Sequence, residues 1–133
     1  MAGESRITIS NTAEIVTARQ HGRTLAVQLG FDGSDLTVIA TAISEMARNI
    51  LDYAKAGEVR ISQCNHGRKR GICVVARDLG PGIADIDQAM QYGYSTRNGL
   101  GIGLPGTKLL MDEFDIVSIV GQGTTVTMRK WRH

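Results

Sequence analysis

Asp78-Leu79-Gly80-Pro81-Gly82-Ile83 and Gly99-Leu100-Gly101-Ile102-Gly103-Leu104-Pro105-Gly106 are the stretches on which the reading of this chain turns. Glycine allows positive φ and close approach of backbone to a ligand, but it weakens helix and strand interiors. Clusters this dense imply that the backbone itself is shaped to meet something. Backbone N–H groups ahead of a helix bind anions, and Pro105 suits the first turn of a following helix, so a phosphate chain is the expected ligand. Gly101, Gly103 and Gly106 have the spacing of a dinucleotide fingerprint. That fingerprint must follow a strand, whereas Tyr92 to Asn98 reads as loop, and the next apolar run, Ile116 to Val120, ends in Gly121 rather than in an acid. Gly101 to Gly106 also has P-loop spacing, but Thr107-Lys108 reverses the Lys-Ser/Thr order that a P-loop needs. The plain alternative is a flexible glycine loop with no ligand.

The flanking chain supplies a compact scaffold. Arg6 to Ile9 alternates as a half-buried strand, and Asn11 with Glu14 forms a capping-box pattern at the start of a helix that Gly30 stops. A second helix begins near Ser34 or Asp35, with Leu36, Ile39, Ala40, Ile43, Ala47, Ile50 and Ala54 as its apolar stripe. Glu58 to Cys64 and the apolar Ile72 to Ala76 read as strands joined by a polar turn. From about Gly82 to Gly103 the chain has little regular pattern beyond a possible helical turn near Ile86 to Met90, and a loop of that length is expected to be a functional lid. A helix carrying Thr107, Leu110, Met111 and Phe114 on one face follows, then strands at Ile116 to Val120 and Thr124 to Trp131. The order is β-α-α-β-β-loop-α-β-β. It predicts an α+β, two-layer sandwich: an antiparallel or mixed, mostly antiparallel sheet with three helices on one face.

The chain has 133 residues and a net charge of +2, the size and charge of one soluble domain over 1–133. No apolar run reaches the ~20 residues of a membrane span, and Met1 to Ser5 has no signal segment, so a cytoplasmic protein without a membrane partner is expected. Arg68-Lys69-Arg70 and Arg129-Lys130-Trp131-Arg132 are too short and separate to form a nucleic-acid face. The two cysteines, Cys64 and Cys73, are expected as free thiols that face each other if their segment is a hairpin.

The second helix carries the first chemical candidates. Glu45 and Asn49 are four residues apart and share a face turned away from the apolar stripe. As a solvated pair they would do nothing. On a cleft closed by the glycine loop, Asn49 would offer a neutral oxygen to Mg²⁺, and Glu45 would act on the attacking group. Asp78 ends a buried strand, where a carboxylate either accepts from an adenine amino group or binds nearby backbone N–H groups. Thr124 follows Gly121-x-Gly123 and by itself reads as an ordinary hairpin threonine; Arg48, Arg97 and Lys108 are either surface charges or cations that could reach a phosphate.

Glu45-x-x-x-Asn49, Asp78-x-Gly80-x-Gly82, Gly99-x-Gly101-x-Gly103 and Gly121-x-Gly123-Thr124, in that order, resemble the nucleotide-binding boxes of the GHKL superfamily, which has the Bergerat fold. The resemblance covers nearly the whole chain. No phosphoacceptor helix precedes the boxes in this sequence and no transducer domain follows, so histidine-kinase and gyrase-like members are not expected. Ile15 to Gln20, Thr41 to Ile50, Tyr94-Ser95-Thr96, Gly101 to Gly106 and Leu110 to Phe114 make the chain most similar to the RsbT-type stressosome serine/threonine kinases. That resemblance implies ATP and Mg²⁺ as cofactors, with Asn49 holding Mg²⁺, Glu45 as catalytic base and Asp78 reading adenine. It implies further nucleotide contacts from Gly80, Gly82, Ile83, Ser95, Thr96, Arg97, Gly99, Leu100, Gly101, Ile102, Gly103, Leu104, Lys108 and Thr124. It also implies STAS-domain scaffold or antagonist proteins as substrates, and partner switching onto a downstream effector such as a PP2C-type phosphatase. The anti-sigma kinases of the superfamily have a longer lid, so the short lid argues against a sigma-binding role. A non-catalytic, ATP-bound partner-binding switch or an anti-sigma factor is the competing expectation.

Overall fold

The computed structural model describes residues 4–83, 90 and 103–132. Strand β1 (Ser5–Ile9) leads into helices α1 (Thr12–Gln28) and α2 (Gly33–Ala54). Strands β2 (Gly57–His66) and β3 (Lys69–Asp78) follow, then helix α3 (Gly103–Leu110) and strands β4 (Glu113–Ile119) and β5 (Gly123–Arg132).

The capping box sets the start of α1. Asn11 Oδ1 accepts from the Glu14 N–H at 3.1 Å, and Glu14 Oε1 accepts from the Asn11 N–H at 3.2 Å. The Ser10 hydroxyl and backbone N–H, donating to the same carboxylate, hold the Glu14 carboxyl below its ordinary range. The helices bury one face each. Ile15, Ala18, Gly22, Leu25 and Ala26 line α1, and Ile39, Ala42, Ile43, Met46, Ala47 and Ile50 line α2. Each isoleucine taken fully from water is worth ~1.5–3 kcal/mol, so this stripe anchors α2 against the sheet.

The sheet has five strands in the order β1-β2-β3-β5-β4. Every pair is antiparallel, which settles the choice between an antiparallel and a mixed sheet. β3 and β4 both run antiparallel to β5, so the chain between them crosses over β5 and carries α3 with it. Alternation puts Ile7, Ile9, Val59, Ile61, Ile72, Val74, Ala76, Val126 and Met128 on the helix side, in one core with the helices. The other face carries Arg60, Cys64, Cys73, Val75 and Thr127, giving two layers with the three helices of the described residues on one side.

Two expectations need correction. Phe114 lies in β4, not on the helix. The last helical bond of α3 runs from the Met111 N–H to Thr107 O, and then the Asp112 N–H donates to Arg129 O, so pairing with β5 takes the chain out of the helix. Cys64 pairs with Gly71, and Cys73 with Ser62, so the thiols are diagonal neighbours on one sheet face and not opposite each other. Both are free. Burial, and then Cys73 nearby, push the Cys64 thiol up to about 11, and burial also raises Cys73, so both stay protonated at neutral pH.

No helix among the described residues is long and apolar enough to cross a membrane. Helix α2 ends at Lys55, which has φ 70° without being glycine. Relief of left-handed strain (~1–2 kcal/mol) exceeds the added unfolded-state freedom of glycine (~0.4–1 kcal/mol), so Lys55→Gly is expected to stabilise the fold by about 0.5–1 kcal/mol. A higher urea midpoint at unchanged slope is the measurement that checks it.

Candidate functional site

The end of the sheet nearest the C-terminus of α2 gathers several of the predicted residues. Asp78 closes β3 on its helix-facing side, in the alternation of Val74 and Ala76. Its Oδ1 accepts from the Gly80 N–H at 2.9 Å and from the Thr124 N–H at 3.3 Å. Among the described residues both hydrogen bonds fall on Oδ1, and Oδ2 carries none. The carboxylate is therefore oriented by backbone donors, as the plainer expectation for Asp78 requires.

The loop after Asp78 is packed too closely for a side chain at either of its glycines. A Cβ on Gly80 would stand 2.5 Å from Ala54 Cβ, at the end of α2. A Cβ on Gly82, which has φ +79°, would stand 2.5 Å from Ile119 O. The Gly121 N–H donates to Pro81 O at 2.8 Å, so the turn between β4 and β5 holds the loop from the other side. The Ile83 N–H donates to Ser118 Oγ at 2.6 Å. Ser118 faces Thr124 across the β4–β5 pair, with the two hydroxyl oxygens 2.7 Å apart. Asp78, Gly80, Gly82, Ile83 and Thr124 thus form one connected corner.

Glu45 and Asn49 stand on α2, both half-buried. The Glu45 side chain is 12% exposed, and its Oε1 accepts from the Gly103 N–H at 3.1 Å. Gly103 is the first residue of α3 and has φ +63°. Its N–H is one of the donors that a helix start leaves without an internal partner, and a carboxylate there also meets the positive end of the helix dipole. Arg48 lies on the solvent side, its Nε 4.0 Å from Glu45 Oε2. Thr107, fully buried, donates its hydroxyl to Gly103 O at 2.8 Å and tightens the same turn.

Other predicted residues are placed differently. Leu104 is buried in the core, so only its backbone faces outward chemistry. Lys108 is exposed in the last turn of α3, five residues beyond Gly103 and about 7.5 Å along the axis. Ser95, Thr96, Arg97, Gly99, Leu100, Gly101 and Ile102, and most of the expected lid, lie outside the described residues.

Ser118 was absent from the sequence-derived set. A signal for it existed: Phe114, Ile116 and Ser118 share one side of β4, so a hydroxyl sits where the row calls for an apolar side chain.

Packing against Ala54 and Ile119 is what requires glycine at positions 80 and 82. Among the described residues no group of three His, Cys, Asp or Glu side chains could hold a metal. A divalent cation beside the Asn49 amide would therefore draw its remaining oxygens from phosphate and water, which is how Mg²⁺ is usually held.

Comparison with known proteins shows the family. The family model for the histidine kinase-like ATPase domain matches residues 9–130. The chain is 48% identical over 131 residues to the serine/threonine-protein kinase RsbT of Bacillus subtilis (strain 168), covering 98% of each. It is 35% identical over 112 residues to an anti-sigma F factor of Thermoanaerobacter sp. (strain X514), covering 80% of this chain and 77% of that one. Among solved structures, the RsbU and RsbW domains of Rv1364c from Mycobacterium tuberculosis superpose with a TM-score of 0.64 at 21% identity, covering 98% of this chain and 33% of that one. The catalytic domain of the histidine kinase ThkA superposes with a TM-score of 0.54 at 14% identity, covering 98% and 95%. At such identities the structural likeness is one of fold.

Proposed function

The chain belongs to the histidine kinase-like ATPase family and, within it, to the RsbT-type protein serine/threonine kinases; from that premise we propose that it uses Mg²⁺ and ATP to phosphorylate STAS-domain partners. The observation that supports this most is the Glu45 carboxylate, held against the Gly103 N–H where the second glycine cluster becomes a helix. The carboxylate also serves the start of α3, but simple nucleotide binding does not need a base there. A kinase has one, because phosphoryl transfer depends on positioning, charge stabilisation and a group that takes the substrate proton.

The proposed roles follow from the contacts. Asp78, with Oδ1 fixed by two backbone donors, turns Oδ2 to the adenine amino group. Gly80, Gly82 and Gly103 bring backbone close to the nucleotide, and the Asn49 amide oxygen helps to hold Mg²⁺. When bound, ATP would supply the transferable phosphoryl group and Mg²⁺ would offset part of the triphosphate's negative charge. Glu45 accepts the proton of the attacking Ser or Thr hydroxyl once it leaves the Gly103 N–H. Release from STAS-domain scaffold or antagonist proteins would free the kinase to activate a downstream effector, such as a PP2C-type phosphatase.

Asn49→Ala separates these roles from a structural one. It is expected to weaken Mg²⁺-dependent ATP binding by roughly 10–100-fold, in line with losing a group that supports a metal, and to leave binding in chelator unchanged. Titration with ATP, with and without Mg²⁺, checks this, followed by transfer of labelled γ-phosphate to a co-encoded STAS-domain protein. The likeness to anti-sigma F factors favours a second reading, a non-catalytic switch or anti-sigma factor. Absence of transfer by the wild-type chain to any such partner would favour that second reading.

A further inference from the structure

One amide at the head of α3 stands where the candidate base and the candidate phosphate contact meet. The Gly103 N–H donates to Glu45 Oε1 at 3.1 Å. Gly103 is the first residue of α3, where backbone donors have no partner inside the helix and the dipole is positive. A nucleotide phosphate is drawn to the same donors, since a helix start of this kind binds anions. An N–H already directed at a carboxylate oxygen is not open to a phosphate oxygen as well.

The surroundings tie down the donor and let the acceptor turn. Thr107, fully buried, donates its hydroxyl to Gly103 O at 2.8 Å and so holds the first turn of α3. Glu45 reaches that turn from α2 on a flexible side chain that is 12% exposed. Its other oxygen, Oε2, stands 4.0 Å from Nε of the half-exposed Arg48. A carboxylate that leaves the Gly103 N–H therefore keeps a cation beside it and is not stranded in the interior. A triphosphate arriving at α3 brings like charge, which drives the carboxylate off.

We propose that the Glu45–Gly103 contact is an autoinhibitory latch: in the nucleotide-free protein it parks the base on an amide that a phosphate takes, so that ATP binding is what releases it. This rests on the reading of Glu45 as the base and of the head of α3 as a phosphate contact. The latch orders the reaction, because the base turns to a substrate hydroxyl only after the phosphate to be transferred is in place. It also lowers the apparent affinity for ATP, by the fraction of molecules in which it is open.

The test uses the full-length chain and measures binding, not transfer. Glu45→Ala removes the latch. Glu45→Asp keeps the charge but falls one methylene short of the Gly103 N–H. Glutamine keeps an acceptor for that amide, so Glu45→Gln does not test the latch. Affinity for Mg-ATP is expected to rise roughly 3–10-fold in both the alanine and the aspartate chains, the factor that one net hydrogen bond supplies. Adenosine, which has no phosphate, is expected to bind all three chains alike. In NMR spectra of the wild type, the Gly103 amide and the Glu45 carboxyl carbon are expected to move when Mg-ATP is added, and hardly when adenosine is.

Unchanged or weaker ATP binding by Glu45→Asp would overturn the proposal even if Glu45→Ala binds more tightly, because charge alone would then explain the alanine result. A Glu45 carboxyl signal that stays in place at saturating Mg-ATP would overturn it too. If the alanine chain does not fold, the aspartate chain and the spectra decide. A Gly103 amide that ignores Mg-ATP while ATP still binds removes the phosphate reading and the inference with it. An amide that responds while Glu45→Asp keeps wild-type affinity removes the inference alone.

Discussion

Glu45→Gln is expected to slow phosphate transfer to a STAS-domain partner by ~10²–10⁴-fold while binding ATP nearly as well as the wild type. Glutamine is chosen over alanine because of the contact that Glu45 makes. Its Oε1 accepts from the Gly103 N–H at 3.1 Å, so the side chain both ties α2 to α3 and carries the acid. Alanine would remove both, and losing the hydrogen bond alone costs ~0.5–1.5 kcal/mol of stability. Glutamine keeps an oxygen for the Gly103 N–H and loses the capacity to take a proton. It also loses a charge at a helix start, worth ~0.3–1 kcal/mol, which is small beside the expected change in rate. The measurements are ATP titration, thermal unfolding, and single-turnover transfer of labelled γ-phosphate. Normal transfer by the folded Glu45→Gln chain would refute the base assignment.

The second large effect is expected at Asp78. Asp78→Asn should weaken ATP binding by ~1.5–3 kcal/mol, roughly 10–150-fold, with little change in the fold. The direction follows from the two backbone donors. Gly80 and Thr124 both point N–H groups at Oδ1, so an asparagine must place its carbonyl oxygen there to keep them. Its NH₂ group then stands where Oδ2 was, and it meets the adenine amino group donor to donor. Calorimetric titration of the folded variant decides the matter, and unchanged affinity would sink the adenine role.

Local pattern was enough for much of this. The capping pair Asn11 and Glu14, the stripe of α2 from Leu36 to Ile50, and the strand runs around Val59 and Val74 each announce their own element, because periodicity and caps act over a few residues. The α+β class with helices on one face follows from the order of those elements. Glu45 and Asn49 were visible because helical spacing puts them on one face, and Asp78 because it ends a buried strand before a glycine cluster.

What only the tertiary structure decided lies between elements far apart in the chain. Glu45 meets Gly103 across 58 positions, Thr124 meets Asp78 across 46, and Ile83 meets Ser118 across 35. No local signal encodes such contacts; they arise when packing of α2 on the sheet and the β4–β5 register bring the groups together. The same register drew Phe114 into a strand where its spacing suggested a helix, and set Cys64 and Cys73 diagonally where a hairpin alone suggested opposition. An alternating or helical pattern states which side of an element is buried. Which neighbour each side chain meets depends on strand register and helix docking, and those are settled by the free energy of the whole core.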